Sequence, residues 1–219
     1  MTIAVPSRDQ KRVVIDRFLA LCAADAITRS GGHPGKVLFH KVIFAIRLRL
    51  GERAAPEYQF RRWKHGPWSP VLANDLDQLA DYDLVRPDVL VTTERGAQLV
   101  HAFRPDLQQA NRETFAAIDA EAAKRATWSG SRAKEEAYAY KVRIVENELG
   151  AATSRTVPLK DIAEGTDLEI SGDPAPEFKA DDDLLRELAF SLALTPERVR
   201  RAHSFTPEST SSVRRMLSP

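Results

Sequence analysis

The side chains that most often carry metal or acid–base chemistry are few in this sequence and form no catalytic pattern. The five histidines show no HxxxH or HxH spacing, which a metal site on one helix or strand would use; they are His33, His40, His65, His101 and His203. The single cysteine, Cys22, falls in an apolar helical segment, where a thiol more often fills space than acts as a nucleophile. No Walker loop, GxGxxG or GxSxG motif is present. We therefore predict that the chain is not an enzyme and holds no metal and no cofactor.

Chemistry directed at nucleic acids has a stronger signal, in a stretch of basic and aromatic residues. Residues 41–64 contain seven basic and two acidic side chains, although the whole chain of 219 residues carries a formal net charge of only +1. That balance excludes a histone-like binder and permits a local patch that contacts phosphates. A solvated surface is the alternative interpretation. From this stretch we predict phosphate contacts by Arg47, Arg49, Arg61, Arg62 and Lys64.

Two tryptophans flank the end of this basic stretch. Trp63 and Trp68 enclose the sequence Lys64-His65-Gly66. Exposed rings at such positions could stack on bases. Aromatic residues at this spacing more often pack in the core, and we predict the core role for both.

Two further blocks of charge follow later in the chain. Residues 161–183 contain nine acidic side chains and one basic one, whereas residues 198–219 contain five arginines and one glutamate. Both blocks could be solvated surface. The acidic segment could also compete for the basic face at 41–64, or contact a protein partner.

The elements that must position these groups are mostly helical. Apolar residues recur near the helical period, and caps and glycine stops bound several segments; Ser69 with Pro70 is a helix start, and Gly51 a helix stop. The predicted helices cover 8–29, 36–50, 69–82, 104–126, 132–149, 181–194 and 196–203, and one more begins near Thr93. An extended segment at 58–63, a tight hairpin at 84–91 and short strands at 157–159 and 167–170 complete the prediction. The fold class is mainly α with a small β hairpin (α+β).

The order of elements from 36 to 103 is helix, extended segment, helix, hairpin, helix. With Gly66-Pro67-Trp68-Ser69 before the second of these helices and Thr92-Thr93-Glu94-Arg95-Gly96 after the hairpin, residues 10–103 resemble prokaryotic winged helix-turn-helix proteins with a Gly-Pro-aromatic-Ser motif. A weaker similarity is to the Panacea domain of some antitoxins, which also has a Gly-Pro step after an aromatic-rich segment.

The winged-helix resemblance implies binding to double-stranded DNA. It implies that helix 69–82 enters the major groove, that residues 85–91 form the wing, and that Arg61, Arg62, Lys64, Arg86 and Arg95 hold phosphates. Ser69, the cap of that helix, is included among the predicted DNA-binding residues.

The sequence departs from the winged-helix pattern in the recognition helix itself. Residues 69–82 contain three aspartates, Asp75, Asp77 and Asp81, and no lysine or arginine. Carboxylates at a phosphate surface are repelled. Asn74 and Gln78, four residues apart on one helix face, could read adenine edges. The alternative is a winged-helix scaffold used for dimerisation or protein binding.

The sequence predicts three parts and one leading function. A winged-helix domain covers 8–103, a helical region that could build a dimer covers 104–150, and an appendage covers 151–219, in which 185–203 could be a second helix-turn-helix or a pair of helices on a partner. We expect a DNA-binding transcriptional regulator that forms a homodimer. The alternative is a protein-interaction module, such as an antitoxin or an adaptor in a toxin–antitoxin, defence or phage system, which binds its partner through residues 161–203.

The expected location is the cytoplasm, with no membrane partner. No apolar run approaches the roughly 20 residues that span a bilayer, and the start MTIAVPSRDQKR lacks the apolar segment of a signal peptide.

Overall fold

The computed structural model of the chain describes residues 10–51, 55–148, 151–170 and 177–193. Helices dominate these residues, and the strands are short and antiparallel, so the predicted mainly α class with a small β hairpin is confirmed. The helices are α1 (Gln10–Arg29), α2 (Lys36–Leu50), α3 (Pro70–Asp81), α4 (Glu94–Ala110), α5 (Arg112–Arg125), α6 (Gly130–Ala139) and α7 (Asp182–Ala193). The strands are β1 (Phe60–Trp63), β2 (Gly66–Trp68), β3 (Lys141–Glu148), β4 (Ala151–Pro158) and β5 (Asp167–Leu168), and a 3-10 turn covers Leu159–Asp161.

Helix α1 is the centre of the core. Its residues 18–27 are all buried, and the helix packs against α3, α4, α5 and α7. Cys22 is fully buried among them, and burial raises the pKa of its thiol, so the predicted packing role is confirmed. Two aspartates on α1 are buried with partners: Asp16 accepts the Glu57 backbone N–H at 2.9 Å, and Asp25 pairs with Arg29 at 2.8 Å. These partners offset the loss of hydration.

Helix α2 lies against α5, α6 and β2 and ends where the sequence predicts. Its last residues alternate apolar and basic side chains, as a strand would, yet they stay helical to Leu50. Gly51 then adopts φ +82°, a conformation that other residues rarely take, and its N–H bonds to the Arg47 carbonyl at 2.9 Å.

Three strands form one sheet in the order β2-β1-β5, and β3 pairs with β4 in a separate hairpin. In the first sheet, Arg61 lies opposite Trp68 on one side and opposite Asp167 on the other. Residues from beyond position 150 therefore complete the sheet that begins at Phe60. The division into three parts at 103 and 150 stays a prediction.

Two of the predicted helices are wrong in extent. The predicted helix 132–149 ends at Ala139, and residues 141–148 form strand β3, in which Val142 is buried and Arg143 exposed. Alternation with β-branched residues is typical of a strand. The predicted helix 104–126 is interrupted at Asn111, whose side chain bonds to the Leu107 carbonyl and to both backbone groups of Lys179, each at 2.7 Å. The contact of Asn111 with a distant segment thus interrupts the helix at this position.

The predicted hairpin at 84–91 is reduced to a tight turn. Its pairing consists of one bridge between Val85 and Thr92, with hydrogen bonds from the Arg86 N–H to the Val91 carbonyl at 2.9 Å and from the Thr93 N–H to the Leu84 carbonyl at 3.1 Å. The next helix begins as predicted, because the Thr93 hydroxyl accepts the Gly96 N–H at 3.1 Å. The predicted helix 196–203 lies outside the described residues.

Candidate functional site

The Gly-Pro-Trp-Ser motif builds the junction between the β1–β2 hairpin and α3. Gly66 adopts φ +115° directly after the turn, which favours glycine. Ser69 is fully buried and caps α3, accepting the Leu72 N–H at 3.3 Å, with Pro70 at the first helical position. The predicted cap is confirmed. Because its hydroxyl is enclosed and engaged, Ser69 does not face a ligand of α3.

The motif is held from α2 by His40. Nδ1 of His40 accepts the Ser69 backbone N–H at 3.1 Å, and the ring stacks on Trp68 with centroids 3.8 Å apart and planes 12° from parallel. Burial, with a smaller effect from Lys36, lowers the pKa of His40 to about 3. The ring is therefore neutral near pH 7, with its proton on Nε2.

The aspartates of α3 have different environments. Asp75 is buried and accepts hydrogen bonds from Arg17 at 3.1 Å and from the Tyr58 hydroxyl at 3.0 Å, so it faces the core. Asp77 is exposed and pairs with Lys36. Asn74 is exposed and Gln78 partly exposed, as base-reading residues would need to be. Of the three carboxylates expected to repel phosphates, only those of Asp77 and Asp81 are exposed.

Most of the arginines predicted to hold phosphates bind groups within the chain. Arg62 is buried, and its guanidinium donates to the Leu159 carbonyl at 3.3 Å, to the Trp63 carbonyl and to the Tyr138 hydroxyl at 3.3 Å. Arg95 donates to the Tyr82 carbonyl and, at 3.3 Å, to the Ser191 carbonyl, and burial lowers its pKa. In this arrangement both side chains stabilise the fold and do not present their charge to a duplex.

The remaining predicted ligands are spread over three places. Arg47 is buried at the end of α2, and Arg49 pairs with Glu121 of α5 at 3.2 Å. Arg61 pairs with Asp167 of β5 at 3.2 Å, so the acidic segment does contact the basic stretch. Lys64 is exposed at the β1–β2 turn, and Arg86 is exposed after α3.

The two tryptophans differ in their surroundings. Trp68 is partly buried against His40, which agrees with the predicted core role. The core prediction is wrong for Trp63, whose residue surface is 51% exposed. The side chains of β1 alternate, with Phe60 and Arg62 buried and Trp63 directed outward at the turn.

Around this turn lies a group of cations that we call the lysine cluster: Lys41, Arg62, Lys64 and Lys134. Among the described residues, no carboxylate forms an ion pair with any of the four. Tyr138 links three of them, because the Arg62 guanidinium carbon and the Lys134 ammonium lie 4.8 and 5.4 Å from its ring centre and its hydroxyl donates to the Lys64 carbonyl at 3.0 Å. Lys41 and Lys134 were not predicted as ligands, because α2 and α6 meet here only in the folded chain.

A second surface feature is a cleft of about 540 Å³ between α1 and α4. Its charged groups are balanced, since Asp25 pairs with Arg29 at 2.8 Å and Arg104 with Asp119 at 2.5 Å. Balanced pairs give no net charge that would select a ligand class, and the lysine cluster is therefore the stronger candidate.

The predicted partner surface at 161–203 is only partly described. Strand β5 pairs with β1, and α7 packs on α1 but leaves Phe190 58% exposed. Residues 171–176 and 194–203 lie outside the described residues.

The described residues contain neither a group of metal ligands nor a helix that could cross a membrane. No group of three or more His, Cys, Asp or Glu side chains there is placed to hold a metal ion. None of the described helices combines the length and apolarity that crossing a bilayer requires.

Comparison of the chain with protein-family models, with curated proteins and with solved structures finds no match. The resemblances to winged-helix proteins and to the Panacea domain therefore stay predictions.

Proposed function

We propose that the chain is a protein-interaction module of the antitoxin or adaptor kind, which binds an acidic segment of its partner at the β1–β2 turn. The observation that carries this proposal is the half-exposed Trp63 beside the lysine cluster, whose four cations have no carboxylate partner among the described residues. Tryptophan is the residue type most enriched at the energetic centres of protein interfaces.

The turn is rigid, which favours binding. Trp63 pairs with Gly66 across the hairpin, and the Tyr138 hydroxyl fixes the Lys64 carbonyl from α6. A backbone that is already held in place before binding loses little conformational entropy in the complex. The exposed indole therefore contributes more to affinity than a tryptophan on a mobile loop would.

The depth of the cations favours a polypeptide over a duplex. Lys41 and Arg62 are 3% and 8% exposed, so their charges lie below the surface. Duplex phosphates need cations that project from the protein. A single flexible acidic side chain can instead reach a recessed ammonium.

DNA binding by a transcriptional regulator is the second candidate. It is supported by Asn74 and Gln78, which lie on the outer face of α3. Lys36 lies next to this face, where it pairs with Asp77. A homodimer would supply two such helices, and both the homodimer and a cytoplasmic location stay predictions from the sequence.

Affinity purification with tagged chain tests the first proposal. Wild type, Trp63→Ala and Val37→Ala are compared in cells that carry the native gene neighbourhood, and a bound protein is then purified and its Kd measured. We expect one partner that Trp63→Ala loses and Val37→Ala keeps, because both variants remove an exposed apolar side chain but only one lies at the turn.

A mobility-shift assay with random-sequence duplexes at two salt concentrations tests the second candidate. A complex that persists at moderate salt and is lost in Asn74→Ala/Gln78→Ala would favour the regulator over the interaction module.

A further inference from the structure

We propose that the ammonium groups of Lys41 and Lys134, next to Gly66, bind one carboxylate group from an acidic side chain of a protein partner. The inference rests on the proposed function and names the chemical group that the β1–β2 turn recognises. Its basis is a buried ammonium that has no partner in the described part of the chain.

Lys41 is the unusual member of the lysine cluster. It lies on α2 with 3% of its surface exposed, and no described residue accepts a hydrogen bond from it or forms an ion pair with it. The Lys41 ammonium is not fully closed to solvent and keeps a narrow contact with water. Charges removed from water are normally paired.

Another deeply buried cation, Arg125, shows the usual arrangement. Arg125 is 2% exposed and pairs with Glu121 and, at 3.0 Å, with Glu136, while Tyr140 accepts a further hydrogen bond at 2.5 Å. This chain therefore supplies two carboxylates to one buried cation and none from the described residues to Lys41. The missing counter-charge is what a ligand would bring.

The surroundings of Lys41 add positive charge. Burial lowers the pKa of the Lys41 ammonium, and the nearby charge of Lys134 lowers it further. Such repulsion reverses when an anion enters between the two ammonium groups.

Gly66 packs directly against the side chain of Lys41. A Cβ at this position would lie 3.3 Å from the Lys41 Cε and 3.8 Å from the Ala137 Cβ. The first distance is shorter than an ordinary van der Waals contact, so a side chain at position 66 would crowd the stem of Lys41 and the approach to its ammonium. A partner segment in which a glutamate or aspartate stands next to an apolar residue fits this surface. The carboxylate would bind the two lysines, and the apolar residue would pack on Trp63.

The test uses glutarate, which has the carboxylate of a glutamate side chain, and inorganic phosphate as probes on the full chain. The lysine Cε resonances are followed by NMR, with Lys41 and Lys134 assigned from the signals missing in Lys41→Met and Lys134→Met. We expect saturable shifts of these two signals with glutarate. Affinity should fall about tenfold or more in Lys134→Met, as loss of one charge-assisted hydrogen bond implies, and stay unchanged in Lys124→Met, whose lysine pairs with Glu136.

Three results would overturn the inference. One is a uniform, non-saturating shift of all lysines, which indicates screening alone. Another is saturation by phosphate but not by glutarate, which indicates a phosphate site. The third is a lower unfolding midpoint in Lys41→Met, because removal of an unpaired buried charge should raise the midpoint. If glutarate does not bind but Trp63→Ala still loses the partner, the carboxylate site at Lys41 and Lys134 is refuted and the proposed function stands.

Discussion

The Nδ1 atom of His40 accepts the backbone N–H of Ser69 at 3.1 Å, and this bond joins the middle of α2 to the cap of α3. The bond requires a neutral imidazole, because a protonated ring would have no acceptor at Nδ1. The position of α3, which carries Asn74 and Gln78, thus depends on the protonation state of one buried side chain.

Stability should therefore fall in mild acid. The pKa of His40 is about 3 in the folded chain, below the ordinary 6.5. Between these values the unfolded chain binds a proton that the folded chain does not, so the contribution is complete above pH 6.5 and decreases as pH falls. The limiting slope is about 1.4 kcal/mol per pH unit. Urea unfolding from pH 7 to pH 4 should show a smaller slope in His40→Asn, which keeps an acceptor for Ser69. Equal slopes in wild type and His40→Asn would contradict this account.

The start of α4 should tolerate no side chain at Gly96. A Cβ there would lie 2.1 Å from the Leu84 carbonyl oxygen, a backbone atom that cannot move aside cheaply. We expect Gly96→Ala to lower the free energy of unfolding by about 2 kcal/mol or more. Gly130→Ala is the matched control, since nothing lies within 4 Å of its added Cβ. A similar free energy for both variants would show that the contact is relieved at little cost.

The two aspartates Asp75 and Asp77 should differ sharply although both lie on α3. Asp75→Ala removes the acceptor of the Arg17 and Tyr58 hydrogen bonds and leaves a partly buried guanidinium without its counter-charge, which should cost about 3 kcal/mol. Asp77→Ala breaks an exposed ion pair with Lys36 and should change stability by less than about 0.5 kcal/mol. Denaturant midpoints measure both. An Asp75→Ala protein as stable as wild type would contradict the core-facing role of Asp75 and would indicate that its carboxylate is available to a ligand.

The tryptophans should separate stability from binding. Trp68→Ala removes the ring stacked on His40 and should cost about 2 kcal/mol. Trp63→Ala removes a half-exposed ring and should leave the unfolding midpoint nearly unchanged while partner binding is lost. Calorimetric unfolding of both variants provides the comparison, and a large loss of stability in Trp63→Ala would identify that ring as part of the fold.

The sequence predicted the elements whose determinants are local. The Ser69 cap, the Gly51 stop and the Thr93 cap each depend on a residue within four positions, and all three are present. Gly96 follows the same local logic, because a glycine in the first turn of a helix indicates a close backbone approach, and the Leu84 carbonyl lies there.

Contacts between distant segments decided the rest. The Asn111 break depends on Lys179, and the end of α6 depends on the pairing of β3 with β4, so neither follows from local periodicity. The same limit applies to the site. Arg62 reads as a phosphate ligand in sequence, but its partners Leu159 and Tyr138 lie 97 and 76 positions away.

The most direct test of the β1–β2 surface observes its tryptophan. The chain has three tryptophans, and the side-chain N–H signals of Trp63, Trp68 and Trp128 can be followed by NMR as a glutamate-rich peptide containing one leucine, or a random duplex, is added. We expect the peptide to shift the Trp63 signal in a saturable way, to leave Trp128 unaffected, and to lose this effect in Lys41→Met. A Trp63 signal that responds to duplex DNA and not to the peptide would contradict the account.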